Sequence, residues 1–321
     1  MVSPALQFSV KTGIAALAAW FIYKQVIQKE SVDDILSEYD YVVGSPDKRI
    51  YLLAVVTLML VNWLLEAMKW KYMMQKLEFI SLLTSLRAVF SGLTVSFFTP
   101  NRIGEYAGRV FHLRSADRMK ATFVTMLENF SQLLVTLVVG SFSLIIYLNQ
   151  HVTLNQHLLW SFDILLVLFS VLMLLCFFLF PQIDSLIMEI KFFSRLRRYF
   201  EVLTTYSKSE LLVVFLLALL RYGVFTFQFY LLMHIFDIAV PYPTAILLIN
   251  MIFYVMTLVP TFALTELGVR GAVAVYFLNE VTYDSLAAIN TTLALWLINL
   301  VVPAVIGIIF IFQFRFDKRA A

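Results

Sequence analysis

The sequence is poor in charged residues and almost devoid of cysteine. Only 14% of its 321 residues are charged, 61% are hydrophobic, and the mean hydropathy is +0.85, which excludes an ordinary soluble domain. Cys176 is the single cysteine, so neither a disulfide framework nor a site made of several thiolates is expected. We therefore predict an all-α polytopic membrane protein in which residues 1–321 form one integral membrane domain.

Sequence motifs for most enzyme classes are also missing. The chain carries no Gly-x-x-x-x-Gly-Lys-Ser/Thr loop for nucleotide phosphates and no Gly-x-Ser-x-Gly elbow for a nucleophilic serine. Its four histidines lack the spacing of a metal site: they are His112, His151, His157 and His234. We expect no catalytic residue, no cofactor and no metal. Because the basic residues are spread over several loops, an anionic membrane surface fits them better than nucleic acid.

Long apolar runs alternate with connections of very different basic content. Lysine and arginine concentrate after the second, third and fifth runs and in the C-terminal tail, which the positive-inside rule assigns to the cytoplasm. This predicts an inner (plasma) membrane protein with both termini cytoplasmic. The runs are 9–27, 51–70, 81–99, 121–148, 158–180, 211–236, 243–259 and 285–313, with a shorter one at 270–278.

Two of these runs do not fit a simple series of crossings. Run 81–99 has basic connections on both sides, whereas 243–279 has connections poor in lysine and arginine on both sides. We therefore predict two re-entrant hairpins of opposite orientation, at about 80–113 and 243–279, with six full spans in an inverted-repeat-like arrangement. The alternative is that 81–99, which is long enough to cross the bilayer, simply spans it.

Each predicted hairpin carries an interruption of the same kind, in Thr99–Arg109 and Pro260–Arg270. A proline ends the apolar run, a glycine lies within two residues of a glutamate, and that glutamate begins a Glu-x-x-x-Arg pair. Irregular backbone at membrane depth is tolerated only where protein or a wet cavity surrounds it. Interrupted segments in corresponding halves indicate a transporter's binding site. The predicted hinge residues are Pro100, Gly104, Pro260 and Gly268.

The ionisable residues near these breaks predict an anion site. Helices that resume after a break present free N–H groups, and acid and base four residues apart lie on one helix face. We expect an anionic headgroup to bind Arg102, Arg109 and Arg270, with Asn101 and Thr265 as further donors, and ion-pair or coupling roles for Glu66, Glu105, Glu128 and Glu266. The alternative is that the pairs are internal salt bridges and that Asn101 and Thr265 only cap helices.

Other polar residues in apolar runs have open interpretations. Arg87 and Arg221 also lie inside such runs, where each charge should face the protein interior or water. Lys69, Trp63 and Trp70 are typical of interface anchors. Glu128 belongs to a polar band, completed by Asn129, Ser131 and Gln132, that predicts either helix–helix contact or the lining of a pathway.

At these residues the chain resembles the transmembrane, flippase-like region of lysylphosphatidylglycerol synthases and its stand-alone relatives. The likeness covers nearly the whole chain, and its most specific part is Pro-Asn-Arg-x-Gly-Glu-x-x-x-Arg at 100–109. The other matching residues are Asn62-Trp63, Glu66–Trp70, Ser91-Gly92, Glu128, Pro260 and Thr265–Arg270. The soluble aminoacyl-transfer domain of the fused members is not part of the match.

The resemblance implies a protein that moves lipids or lipid-linked groups between leaflets. Its expected partners are membrane lipids, either anionic phospholipids or polyprenyl-phosphate-linked groups, and a separately encoded lipid-modifying enzyme. Two alternatives stay open: a membrane anchor for such a synthase, and a transferase acting on a lipid-linked group with Glu105 or Glu266 as general base.

Overall fold

In the computed structural model, residues 42, 44–97, 99, 102–153, 155–182, 197–259 and 263–312 are described. The described chain is all-helical. Its main helices are α1 (Pro46–Met74), α2 (Leu82–Ser96), α3 (Gly104–Val110), α4 (Arg118–His151), α5 (Gln156–Leu179), α6 (Lys208–Ile235), α7 (Tyr242–Leu258), α8 (Ala263–Leu278), α9 (Ser285–Trp296) and α10 (Val302–Ile311). Three short helical segments connect them, at Phe180–Gln182, Arg197–Phe200 and Leu203–Thr205.

Five helices in the described part are long and apolar enough to cross a bilayer. They are α1, α4, α5, α6 and the continuous Ser285–Ile311, which contains α9 and α10, and they coincide with five of the six predicted spans. The sixth, at 9–27, lies outside the described residues. By contrast, α2 and α7 have 15 and 17 residues, shorter than the roughly 20 that a perpendicular crossing needs. This confirms the polytopic all-α fold class.

The scaffold is a long antiparallel contact between α1 and α6. At one end, Lys48 donates to the Ile235 carbonyl at 2.8 Å and pairs with Asp237 at 2.7 Å. At the other end, the Tyr206 hydroxyl donates to the Met73 carbonyl at 2.5 Å. These contacts fix two ends of the molecule, which we name the Met73 end and the Ile235 end.

The first hairpin, α2 and α3, is based at the Met73 end. Ser81 caps α2, its hydroxyl accepting from the Thr84 N–H. At the base, the Glu78 carboxylate, which follows α1, accepts hydrogen bonds from the N–H groups of Arg114, Ser115 and Ala116 at 2.8–3.1 Å. The loop after α3 is therefore tied to the loop before α2, so both legs start and finish at the same end.

At the tip of this hairpin, Thr99 is hydrogen-bonded to Arg102 and Gly104, between the end of α2 at Ser96 and the start of α3 at Gly104. The Gly104 N–H donates to Thr99 Oγ1 at 2.7 Å, and Arg102 adopts a left-handed φ of 58°, a conformation that costs free energy for a residue with a Cβ. Glycines then let the legs touch, because a Cβ on Gly108 would lie 2.5 Å from the Gly92 Cα. The interruption expected at 99–109 is thus a real break, although Pro100 and Asn101 lie outside the described residues.

The second hairpin, α7 and α8, is based at the opposite end. Chain order takes α6 from the Met73 end to the Ile235 end, where α7 begins after Pro241. The Glu280 carboxylate, just after α8, accepts a hydrogen bond from Tyr147 near the C-terminus of α4. The two hairpins therefore enter from opposite ends, as the basic content of the loops predicts. The return leg of this hairpin is longer than the apolar run 270–278, since α8 starts at Ala263.

The last span links the two hairpins. A π-helical segment at Leu297–Val301 separates α9, which packs on α8, from α10, which packs on α2. Pro303 follows this segment, and because proline has no N–H to donate, it disturbs the preceding turn. On α10, Gly307 lies against the Phe90 carbonyl and Thr94. Each half of this span therefore packs against one of the two hairpins.

Candidate functional site

Both hairpins line a single cavity of about 700 Å³. The first contributes Thr99, Arg102, Glu105 and Tyr106, and the second contributes Thr257 and Arg270. Aromatic and polar residues of α1, α4, α6 and α9 complete the wall, among them Trp63, Glu66, Asn129, Gln132, Thr136, Arg221 and Trp296. Cavities of this size hold small-molecule ligands or headgroups.

One face of α4 supplies a polar stripe along the cavity. Asn129, Gln132 and Thr136 recur at helical spacing and all line the wall. At 1.5 Å per residue they extend over about 10 Å, a third of the hydrocarbon thickness. Beside them, Met126 and Leu133 give the same wall an apolar side and are both more than one third exposed. Of the polar band expected around Glu128, Asn129 and Gln132 therefore line the cavity, whereas Glu128 and Ser131 are fully buried.

A charge cluster extends from the cavity wall into the protein interior, formed by Glu66 and Lys69 of α1, Glu105 and Arg109 of α3, Glu128 of α4 and Arg221 of α6. Arg109 binds three carboxylates: Glu66 at 2.5 Å, Glu128 at 3.0 Å, and Glu105. Lys69 lies 3.0 Å from both Glu66 and Glu128. Arg221 approaches Glu66 at 3.2 Å. Three acids thus face three bases, and charges that would be costly alone at membrane depth compensate one another.

Local sequence places these groups. Glu66 and Lys69 are three residues apart, Glu105 and Arg109 four apart, so each pair shares a helix face. Gly92 makes room for the Arg109 side chain, since a Cβ there would lie 2.7 Å from its Cγ. Replacement of this glycine would displace Arg109 from its carboxylates.

The residues predicted for anion binding fall into three groups. Arg102, Arg270, Glu105 and Glu66 line the cavity. Glu128 and Arg109 lie behind it and are fully buried. Asn101, Pro100 and Pro260 lie outside the described residues, and for Thr265, Glu266 and Gly268 only the helical backbone is described, so the Glu266–Arg270 pair has no described geometry.

The position of Arg109 corrects its expected role as a headgroup ligand. Its side chain is 1% exposed and enclosed by carboxylates, so in this conformation it cannot touch a ligand in the cavity. The interface-anchor interpretation of Lys69, Trp63 and Trp70 is also wrong. Lys69 and Trp70 are buried, Trp70 donating to Thr125 at 3.0 Å, and Trp63 lines the cavity.

The sequence did not predict which residues contact Arg221, nor did it predict a second polar network. Arg221 was recognisable as a charge in an apolar run, yet nothing in the sequence shows which helix faces it. The second network joins amides across three helices: Asn62 donates to Asn299 at 3.3 Å, Asn299 to Gln228 at 2.9 Å, and Gln228 to the Val55 carbonyl at 2.8 Å. Asn299 lies in the π segment, so these bonds hold the irregular turn against α1 and α6.

Comparison with known proteins agrees with this architecture. The model of the family described as the lysylphosphatidylglycerol synthase TM region matches residues 8–307. No curated protein and no solved structure matches the chain. With the match extending over both hairpins and the charge cluster, the chain belongs to the lysylphosphatidylglycerol synthase TM region family.

Proposed function

We propose that this protein moves a lipid with an anionic headgroup between leaflets, with the headgroup passing through the cavity shared by the two hairpins. The observation that carries the proposal is that hairpins entering from opposite ends line one cavity and place Arg102 and Arg270 on its wall. Opposed interrupted helices that meet at a common site are typical of transporters with alternating access.

The wall chemistry favours a phosphate-bearing headgroup. Among the described wall residues, three guanidinium groups (Arg102, Arg221 and Arg270) stand against two carboxylates (Glu66 and Glu105), and arginine binds phosphate oxygens with paired hydrogen bonds. The stripe of Asn129, Gln132 and Thr136 offers neutral partners along the way. A headgroup moving past it would exchange hydrogen bonds rather than lose them all at once.

A lipid also needs an apolar boundary for its acyl chains. Met126, Leu133 and Val259 line the cavity, and each is at least one third exposed. With this apolar rim, the acyl chains stay in the bilayer while the headgroup crosses the polar part. The substrates we propose are therefore membrane phospholipids or polyprenyl-phosphate-linked groups rather than nucleic acid.

Glu105 is the carboxylate best placed to respond to the headgroup. Its side chain is 17% exposed, lines the cavity and binds the buried Arg109, so it connects the wall with the cluster behind it. If movement is coupled to protons, Glu105 and its neighbour Glu128 are the proposed carriers. We place the protein in the inner membrane with the Met73 end cytoplasmic, where the basic loops lie, and propose translocation without covalent change to the lipid.

The test is leaflet exchange of fluorescent phosphatidylglycerol in proteoliposomes. Wild type should accelerate exchange, and Arg102→Ala and Arg270→Ala should each abolish most of the acceleration. Arg87→Ala is the matched control, because Arg87 lies on α2 against the Phe310 ring, outside the cavity.

Exchange that survives both cavity substitutions would reject the proposed path. Wild type that exchanges neither phosphatidylglycerol nor a polyprenyl phosphate would reject translocation by this chain alone. Co-purification of a lipid-modifying enzyme would then favour the anchoring function.

A further inference from the structure

We propose that Arg221, stacked on Trp63, is the phosphate-binding residue of the cavity, and that it exchanges Glu66 for the phosphate group of the ligand. The inference rests on the proposed function. Among the three guanidinium groups of the cavity wall, it assigns phosphate binding to the one that lies outside the hairpins. Arg221 and Trp63 belong to the scaffold helices α6 and α1, not to either hairpin.

The two arginines of the charge cluster differ in how firmly they are held. Arg109 contacts three carboxylates and is 1% exposed, whereas the Arg221 side chain is 19% exposed and lines the cavity. Within the described residues, Arg221 has one carboxylate neighbour, Glu66 at 3.2 Å, and a long hydrogen bond of 3.3 Å to the neutral Gln132 oxygen. Arg221 is therefore the guanidinium of the cluster that a ligand can reach and engage.

Two donors at this place lack acceptors. In the part of the chain that the structure describes, neither Nε of Arg221 nor Nε1 of Trp63 has a hydrogen-bond partner, although both atoms are buried. The Arg221 guanidinium lies 5.3 Å from the Trp63 ring centroid, a cation–π contact that holds it over a fixed surface. Unpaired buried donors cost free energy, and a small rotation of Arg221 toward an oxygen-rich anion would supply acceptors.

Glu66 can release Arg221 without becoming an isolated charge. Its carboxylate keeps Arg109 at 2.5 Å and Lys69 at 3.0 Å. Leaving a buried carboxylate without a partner is strongly unfavourable, so these two contacts make the exchange feasible. A phosphate that takes the place of Glu66 on Arg221 still leaves every acid of the cluster paired.

The ligand chemistry is a phosphate group, whether on a lipid or free. We would measure binding of dihexanoyl phosphatidic acid and of inorganic phosphate to the purified protein by calorimetry. Arg221→Gln should weaken phosphatidic acid binding about 10- to 100-fold, the range for loss of a charged hydrogen-bond donor. Arg221→Lys should recover part of the loss, and the control Arg87→Gln should bind like wild type.

The variant Glu66→Gln distinguishes phosphate binding by Arg221 from a purely structural role. Because Glu66 competes with the ligand for Arg221, this variant should bind phosphatidic acid more tightly than wild type, whereas a merely structural contact would give weaker binding. Inorganic phosphate that binds as tightly as the lipid would support the site and identify a soluble phosphate as its ligand. Clearly weaker inorganic phosphate would support a lipid.

The inference is overturned if folded Arg221→Gln binds like wild type, or if wild type binds neither probe. Leaflet exchange in the same preparations distinguishes the two proposals. Exchange by wild type with unaltered binding in Arg221→Gln rejects this site and keeps translocation. Binding lost in Arg221→Gln without any exchange by wild type keeps the site and rejects translocation.

Discussion

Arg109 joins three helices at a single side chain. Its carboxylate partners come from α1, α3 and α4, so the residue fixes the return leg of the first hairpin to the scaffold. The Glu105–Arg109 pair was predictable from its spacing. The contacts to Glu66 and Glu128, 43 and 19 residues away along the chain, were not, because sequence spacing carries no information on which helices pack together.

Removal of the Arg109 charge should destabilise the protein severely. Arg109→Gln leaves three carboxylates with two bases in a buried cluster, and we expect a loss of about 3–5 kcal/mol in the free energy of unfolding. Chemical unfolding in detergent would measure it. The double variant with Glu128→Gln restores the charge balance and should recover part of the loss. Equal stability of Arg109→Gln and wild type would contradict this role.

Glu78 lies outside the membrane spans, and its carboxyl group should make the stability of the protein depend on pH. Partial burial alone would raise the pKa of its carboxyl, but the N–H groups of Ser115, Ala116 and Arg114 outweigh it and hold the pKa below the ordinary value of 4.5. A lowered folded-state pKa stabilises the protein above the unfolded-state pKa, and this contribution is lost as pH falls through the folded value. Wild type should therefore exceed Glu78→Gln in unfolding temperature at neutral pH, and the difference should shrink below about pH 4.5. A difference independent of pH would contradict this.

At the scale of helices, glycine contacts decide how closely the hairpin legs pack. Gly108 touches the backbone of Gly92, which lets α3 lie directly on α2. Proline and glycine signals in the sequence predicted the break, since each has a backbone consequence. The helix was expected to resume near Thr265, and α8 starts at Ala263, seven residues before the apolar run 270–278.

Gly108→Ala tests the close contact of the legs. The added Cβ would meet the Gly92 backbone at 2.5 Å, which the legs can relieve only by separating, and we expect a loss of about 1–3 kcal/mol in unfolding free energy. Gly223→Ala is the matched control, because no atom lies within 4 Å of its added Cβ. Similar effects of the two substitutions would show that the close packing is not important for stability.

At the scale of the whole molecule, loop charge predicted the opposed hairpins correctly. It could do so because basic residues are retained on one membrane face irrespective of packing detail. The shared cavity could not be predicted in the same way, since it depends on how α4, α6 and α9 pack beside the two hairpins.

The proposed orientation is testable with single cysteines on a Cys176→Ser background. Phe79 and Tyr283 are highly exposed, at 88% and 104%, and lie near the bases of the first and second hairpins. In intact cells, a membrane-impermeant maleimide should label Tyr283→Cys but should reach Phe79→Cys only after the membrane is permeabilised. Labelling of both variants in intact cells would contradict opposed entry of the hairpins.

The most direct test of the shared cavity as the lipid path is reversible blockage. Thr257 is exposed and lines the cavity, and its hydroxyl bonds only to the carbonyl of Phe253 among the described contacts. On the Cys176→Ser background, a bulky methanethiosulfonate reagent on Thr257→Cys should stop phosphatidylglycerol exchange in proteoliposomes. A reductant should restore it, and the same label on Tyr283→Cys should have no effect. Undiminished exchange after complete labelling at position 257 would contradict the account.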